Sequence, residues 1–338
     1  MLTAGFGSRL HPLTHFLPKP LLPIGPGPLV GSTLEGLAKL GCELAVLNLH
    51  HLGEQFPESL GQSWFGLPLV YSWEEPIQGT LGALAGPREL LRDADAVILV
   101  NGDSLCDWPL KKLLRRHFKS GADATLLLHH RSPDSQLGGG VALGSDGFVV
   151  QLRDSEPVGE VARRHVFAGV HVLSPKLLEG IASEPGDIIE GLYIPRLADG
   201  GRIAGMVTRR QWQDLGTPDR YLGAVLDRLR SPWPLRRKHS WISPLARIDE
   251  GAEIRHSIVG PGVVVRSECR VRGSVLLADS KLGPRCEVDG GILGPGVELP
   301  AATRVEKRMV NRLSTHHPPG KDETVLGDLS YVPLSPVG

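Results

Sequence analysis

From Ile248 onward the chain carries aliphatic residues at a fixed beat, and that beat leaves few folds open. They fall at Ile248, Ile254, Val259, Val265, Val271, Leu276, Leu282, Val288, Leu293, Leu299 and Val305, in steps of 6, 5 and 6 that close a repeat of 17. Ile248, Val265, Leu282 and Leu299 form one file. Ile254, Val271, Val288 and Val305 form a second, and Val259, Leu276 and Leu293 a third. Three apolar files in constant register describe a three-sided solenoid of three to four coils, with one inward residue per side per coil. A two-sheet sandwich would not hold such a register. Four places after the first file come the small residues Ala252, Cys269, Cys286 and Thr303. Cys269 and Cys286 are therefore expected to stack in successive coils as core thiols. His256 is expected at a turn.

The part before the solenoid reads differently. Apolar runs at 43–49 and 96–100 read as buried strands, and the patterns at 33–40, 110–118 and 219–229 read as helices. Such alternation argues for an α/β domain with a mostly parallel sheet, whose ligands sit outside the carboxyl ends of strands. Ser231-Pro-Trp-Pro-Leu-Arg-Arg-Lys has the prolines and adjacent cations of a solvated linker. The expected division is 1–230 for the first domain, 231–241 for the linker, 242–310 for the solenoid and 311–338 for a tail that caps it.

With 338 residues the chain is long enough for two cores, and 37 basic against 37 acidic residues point away from a nucleic-acid or polyanion binder. No apolar run approaches a membrane span, and Arg9 and the prolines interrupt any signal peptide, so a cytoplasmic location is the default. The four cysteines show no C-x-x-C spacing, which argues against a zinc site or a redox pair.

The chemistry gathers at the start, in the string Leu2-Thr-Ala-Gly-Phe-Gly-Ser-Arg-Leu-His-Pro-Leu-Thr-His-Phe-Leu-Pro-Lys-Pro20. Gly5 and Gly7 let a backbone come close to a phosphate, and Arg9 and Lys19 bring two cations to the same segment. The third glycine of a dinucleotide fingerprint and the Gly-Lys-Ser/Thr of a Walker loop are both missing. Asp103 follows a buried strand in Ala-Val-Ile-Leu-Val-Asn-Gly-Asp-Ser, where a carboxylate is well placed to hold a hard cation.

The string resembles the signature of the sugar-phosphate nucleotidyltransferases, and the 17-residue repeat resembles the hexapeptide repeats of left-handed parallel β-helices. The resemblance implies a Rossmann-like nucleotidyltransferase domain followed by a short left-handed β-helix. It implies that Leu2, Ala4, Gly5 and Gly7 line the nucleotide and that Arg9 and Lys19 act on its phosphates. Gln211-Trp-Gln-Asp-Leu-Gly-Thr-Pro matches the segment carrying the family's second metal ligand, so Asp103 and Asp214 are the implied ligands of Mg2+. Glu74-Glu-Pro-Ile-Gln-Gly-Thr-Leu-Gly-Ala-Leu resembles the nucleobase loop, with Gly79 and Thr80 at the base and Thr80 also expected to cap the helix it begins, and its form is most like that of mannose-1-phosphate guanylyltransferases. On the sugar side the resemblance points to Gly139 and Gly169. Where many relatives carry Glu-Lys-Pro this chain has Gln151-Leu-Arg-Asp-Ser-Glu-Pro, so Arg153 stands in for the lysine. That departure also brings the chain nearer to N-acetylmuramate 1-phosphate uridylyltransferases. Asp187 and Glu190 are candidates for contacting the sugar or capping a helix.

A strand of about 5–6 residues usually precedes the loop in this family. Only Met1-Leu2-Thr3 stand here, and the expectation is a start further upstream; the alternative is a central strand cut short. The implied reaction joins a nucleoside triphosphate and a sugar 1-phosphate into a nucleotide sugar and pyrophosphate, with GTP and mannose 1-phosphate as the first expectation. The alternatives are uridylyl or thymidylyl transfer to another sugar 1-phosphate, or a non-catalytic regulatory subunit. Acetyl transfer on the solenoid is disfavoured by its shortness and want of a base. The solenoid is expected to join copies of the chain into a homo-oligomer.

Overall fold

The computed structural model describes residues 1–130, 140–179, 181, 183–230 and 240–334. They divide into two compact units, Met1–Gly5 with Ser32–Trp212, and Phe6–Gly31 with Gln213–Gly338. The expected linker residues 231–239 lie outside the described residues. The helices expected at 33–40, 110–118 and 219–229 are found at Leu29–Leu40, Leu110–Ser120 and Pro218–Arg230.

In the first unit β1 (Ala45–Leu49) pairs in parallel with β3 (Leu67–Trp73), and β2 (Ser63–Trp64) turns back antiparallel on β3. β4 (Val97–Val100) is followed by the short β5 (Ser104–Cys106). A larger sheet holds β6 (Ala124–His129), β7 (Val141–Leu143), β8 (Val149–Leu152), β9 (Arg163–Leu173) and β10 (Ile203–Thr208). β10 runs parallel to β6, whereas β9 is antiparallel to β4, β6 and β7. Strand–helix alternation thus gives the parallel side of the sheet, and the 11-residue β9 makes the rest mixed. Apolar side chains on β1, β4, β6 and β9, among them Leu47, Val100, Leu126 and Val172, are fully buried. Helix Leu110–Ser120 packs on this sheet through Leu110, Leu113 and His117, an i, i+3, i+7 stripe, and stops at Gly121 with φ 60°.

Leu2 is the hinge of this architecture. It bridges Asn48, just within β1, and Asn101, just past β4, both in parallel. Its N–H donates to Val100 O at 2.9 Å, and its carbonyl accepts from Gly102 N–H at 2.9 Å. The central strand is one residue wide in the ladder sense, and the two sheets meet through it. Beside it lies a cavity of about 470 Å³, bordered by Met1, Leu2, Ala45, Val46, Ala96 and Val97.

In the second unit the predicted files become three stacked sheets. One face holds Trp241–Ile242, Ile258–Val259, Val275–Leu276, Ile292–Leu293 and Arg308–Arg312. The next holds Arg247–Ile248, Val264–Val265, Lys281–Leu282 and Glu298–Leu299. The last holds Glu253–Arg255, Arg270–Arg272, Glu287–Asp289 and Arg304–Glu306. Every coil-to-coil pair is parallel and in register, as in left-handed hexapeptide β-helices. Val259, Val265, Val271 and Leu276 are fully buried. Cys269 and Cys286 occupy the core as expected, each Sγ donating to a carbonyl of the next coil, Gly283 at 3.1 Å and Pro300 at 3.0 Å. Burial pushes both thiols up, away from the reactive thiolate. His256 is at a turn, with φ 48°. Beyond the coils, Leu329–Pro333 pairs antiparallel with Arg308–Arg312 and with Thr324–Leu326, extending the first face by a hairpin.

Candidate active site

The expected site residues are distributed over both units. In the second unit the chain from Phe6 to Leu22 folds through three short 3-10 turns, Ser8–Leu10, Leu13–His15 and Lys19–Leu21, anchored by buried Leu10, Leu13 and Leu21. Thr14 Oγ1 donates to the Gly7 carbonyl at 3.0 Å and so closes this segment on itself. Lys19 is only 5% exposed, and its Nζ lies 3.3 Å from Asp214 Oδ1. Arg9 reaches the other oxygen of Asp214 at 3.6 Å, and Arg220 reaches it at 3.5 Å. Three cations thus converge on one carboxylate. That is a strongly positive surrounding for phosphate oxygens once the carboxylate is itself engaged by a cation. Gly216, two residues after Asp214, lies under the Arg9 guanidinium, where a Cβ would come within 2.7 Å of Cζ.

In the first unit Leu2 and buried Ala4 lead into exposed Gly5. Asp103 is half-buried two residues past the Asn101 bridge, and Ser104 Oγ donates to its Oδ1 at 3.3 Å. Gly169 sits within β9 at φ 79°, and a Cβ there would meet Asn101 Nδ2 at 2.9 Å. Asn101 N–H donates to the Gly169 carbonyl at 2.9 Å, which ties the strand end before Asp103 to the glycine expected at the sugar.

The expected nucleobase loop is clasped from the side. Gly186 N–H donates to Gln78 O at 3.0 Å and its carbonyl accepts from Leu81 N–H at 2.9 Å. Thr80 Oγ1 accepts from Ile188 N–H at 2.8 Å. The hydroxyl therefore serves the 186–188 segment, whereas the sequence pattern suggested a cap for Thr80's own helix. Gly79 adopts φ 69°, and a Cβ on it would fall 2.5 Å from the Gly186 carbonyl. The base of the loop is a polar chain. Glu74, 8% exposed, accepts from Asn48 Nδ2 and from Gln78 N–H, each at 2.8 Å. Asn48 Oδ1 in turn accepts from Thr3 N–H at 2.6 Å.

Arg153, at φ 51°, donates to Glu190 Oε1 at 2.5 Å and to Asp187 Oδ2 at 3.0 Å. These bonds outweigh the cost of burial and hold the guanidinium further from deprotonation. Asp187 also caps the following turn through Ile189 and Glu190 N–H. The structure therefore gives this acidic pair both a capping bond and a cation. Gly139 lies outside the described residues.

Residues 1–231 match the family model described as nucleotidyl transferase. The chain belongs to that family. Residues 236–310 match a GlmU-like C-terminal hexapeptide model. Among curated relatives, the nucleotidyl transferase is 30% identical to the mannose-1-phosphate guanylyltransferase of Mycobacterium tuberculosis, over 91% of this chain and 82% of that protein. It is also 30% identical to the mannose-1-phosphate guanyltransferase of Debaryomyces hansenii, over 88% of this chain and 91% of that one. The crystal structure of HddC from Yersinia pseudotuberculosis shares the fold, with a TM-score of 0.55 at 22% identity over 67% of this chain and 96% of that one.

Two features of the nucleotidyl transferase were invisible as motifs, and a third was not. Arg220 is a helix residue with no signal until the fold brings it to Asp214. Asn48 and Glu74 stood inside quoted strings, but their bond is made over 26 residues. Gly216 had a signal, its place in Trp-x-Asp-x-Gly. The clasp yields a test. Gly79→Ala is expected to lose at least about 1–3 kcal/mol locally, from strain at positive φ and collision with the Gly186 carbonyl. A rise in nucleotide KM and a lower melting temperature would report it; unchanged values would show that the clasp tolerates a side chain.

Proposed function

We propose that this nucleotidyl transferase joins GTP and mannose 1-phosphate to form GDP-mannose and pyrophosphate. The observation that carries the reading is the convergence of Lys19, Arg9 and Arg220 on Asp214, an arrangement suited to phosphate charge. The curated relatives matched over most of the chain support the choice of sugar and base.

The attacking phosphate oxygen of the sugar 1-phosphate forms a bond to the α-phosphorus while the bond from that phosphorus to the β-phosphate oxygen breaks. The nucleophile is already anionic, so no general base is needed, and catalysis is positioning plus charge neutralisation. Arg9 and the amides of the glycine-bearing segment hold the β- and γ-phosphates of the NTP. Lys19, nearly buried, meets the charge that develops on the leaving pyrophosphate. Asp103 and Asp214 offer the oxygen donors that a hard divalent cation takes, and in this reading they hold Mg2+. When bound, the metal supplies further neutralisation of phosphate charge. Leu2, Ala4, Gly5 and Gly7 border the nucleotide, and Gly79 and Thr80 the base. Gly139, Gly169 and Arg153 serve the sugar 1-phosphate, with Asp187 and Glu190 orienting the Arg153 guanidinium. The reaction is assigned to the cytoplasm, and the β-helix to self-association. Among the described residues no helix is long and apolar enough to cross a membrane.

A matrix of four nucleoside triphosphates against mannose, glucose, N-acetylglucosamine and N-acetylmuramate 1-phosphates, read by pyrophosphate release, tests the assignment. GTP with mannose 1-phosphate is expected to give the highest kcat/KM. A faster rate with UTP or dTTP and another sugar would replace it.

A further inference from the structure

One face of the β-helix carries a charge pattern that ion pairs within the chain explain only in part: Arg255 lies 3.4 Å from Glu253 and Glu306 lies 3.2 Å from Arg304 along their own strands, but nothing in those pairs sets the order of charges from coil to coil. On Glu253–Arg255, Arg270–Arg272, Glu287–Asp289 and Arg304–Glu306 the middle residue points into the core and its two neighbours point out. The first outward column reads Glu253, Arg270, Glu287, Arg304, alternating in sign from coil to coil. That alternation is used within the chain: Arg270 Nη1 lies 3.4 Å from Glu287 Oε1, and Arg304 Nε lies 4.0 Å from Glu287 Oε2.

The second outward column reads Arg255, Arg272, Asp289, Glu306. Here Arg255 stands in register beside Arg272, and Asp289 beside Glu306. Strand neighbours in such a sheet are about 4.8 Å apart, and like charges directly opposite are destabilising. A face selected for its own stability would alternate this column too. The order plus, plus, minus, minus has another property: reversed end to end, it is its own complement.

We infer that this face binds the same face of a second copy of the chain, related by a twofold axis lying along the strands. That operation keeps each column and reverses the order of the coils, as an isologous contact requires. Arg255 then meets Glu306 of the second copy, Arg272 meets Asp289, Glu253 meets Arg304 and Arg270 meets Glu287. At the adjoining corner Glu268 meets Arg285. Each of these charged positions finds the opposite sign, and at the other corner Lys307 meets His256. The other in-plane twofold, along the solenoid, is excluded by the same residues, since it sets Arg270 on Arg272 and Glu287 on Asp289. Four strands at this spacing bury only a few hundred Å² per copy, below the ~800 Å² per partner of a standard interface. The association is therefore electrostatic, weak and dependent on salt.

This sharpens the self-association proposed above to one face and one orientation. The test is the dimerisation constant of the full chain, measured by sedimentation at low and high ionic strength. Arg255 and Glu306 are the informative pair. They lie three coils apart in one chain, about 14 Å, so they cannot reach each other within it, and their partners in the chain are Glu253 and Arg304. Arg255→Glu and Glu306→Arg are each expected to weaken the dimer about tenfold or more, and the double substitution to restore it, with the melting temperature little changed throughout. High salt is expected to dissociate the native dimer. A monomer at low salt overturns both the inference and the broader self-association. Dimers that ignore the single substitutions, or a double variant weaker than either single, overturn this face and orientation while leaving self-association standing.

Discussion

Lys19→Ala is expected to lower turnover by about a hundredfold or more, with the fold intact. The magnitude is that of removing one preorganised charge from a developing anion, ~10²–10³ in kcat. Two features argue for the upper part of the range. Lys19 is 5% exposed, so water cannot readily replace its ammonium, and its charge is already aimed, 3.3 Å from Asp214. Asp214 keeps Arg9 and Arg220 when the lysine is gone, so no carboxylate is stranded and the melting temperature is expected to move little. Lys19→Met, which keeps most of the stem, separates lost packing from lost charge. Both variants are expected to fall in kcat more than they rise in nucleotide KM. Native turnover in Lys19→Met, measured by pyrophosphate release, would remove the lysine from the chemistry.

The second large effect is on stability in acid. His171 lies wholly inside the first unit on β9, its Nδ1 2.7 Å from the Tyr193 hydroxyl. Burial drives its pKa down from 6.5 to about 3, against the weaker pull of Asp187. The unfolded chain takes up a proton here below about pH 6.5, while the folded chain does so only near pH 3. Stability present above pH 6.5 is thus lost as the pH falls through this window. At about 1.4 kcal/mol per unit, the loss from this one group approaches 5 kcal/mol at the acid end. His117 and His165, also lowered mainly by burial, act in the same direction. Urea midpoints measured between pH 7 and 4 are expected to fall steeply in the native chain and less steeply in His171→Gln, which keeps a hydrogen-bonding partner for Tyr193. Equal slopes in the two would show that this imidazole is not what acid attacks.

What could be read from the sequence follows from the range of the forces involved. The solenoid was legible to the residue because its core is one-dimensional: each inward position repeats after 17, and no distant segment is needed to explain Val271 or Leu276. The string at the start stood out because glycines, Arg9 and Lys19 lie within a few residues of one another, and the structure brings Arg9 and Lys19 to one carboxylate. The structure adds what depends on long loops closing. Arg220 joins Asp214 only through a helix turn beginning at Pro218, and Glu74 finds Asn48 only because β1 and β3 pair in register. Thr80 looked like a local cap because sequence reveals only local partners, and its acceptor role is toward Ile188, 108 residues away. The antiparallel run of β9 was hidden for a similar reason. An 11-residue strand that serves β4, β6 and β7 carries no mark of its direction.

The unbroken coil register has a consequence for how such a chain can change length. A gain or loss of one whole coil leaves all three apolar files, the Ser257–Ser274 hydroxyl ladder and the parallel pairing intact, so the β-helix can grow or shrink in steps of one repeat. Any other step rotates the files out of the core. Yet the charged face does not share that freedom. Its complementarity belongs to an even number of coils read from both ends, and one coil more or fewer would leave a core as sound as before on a surface that no longer recognises itself.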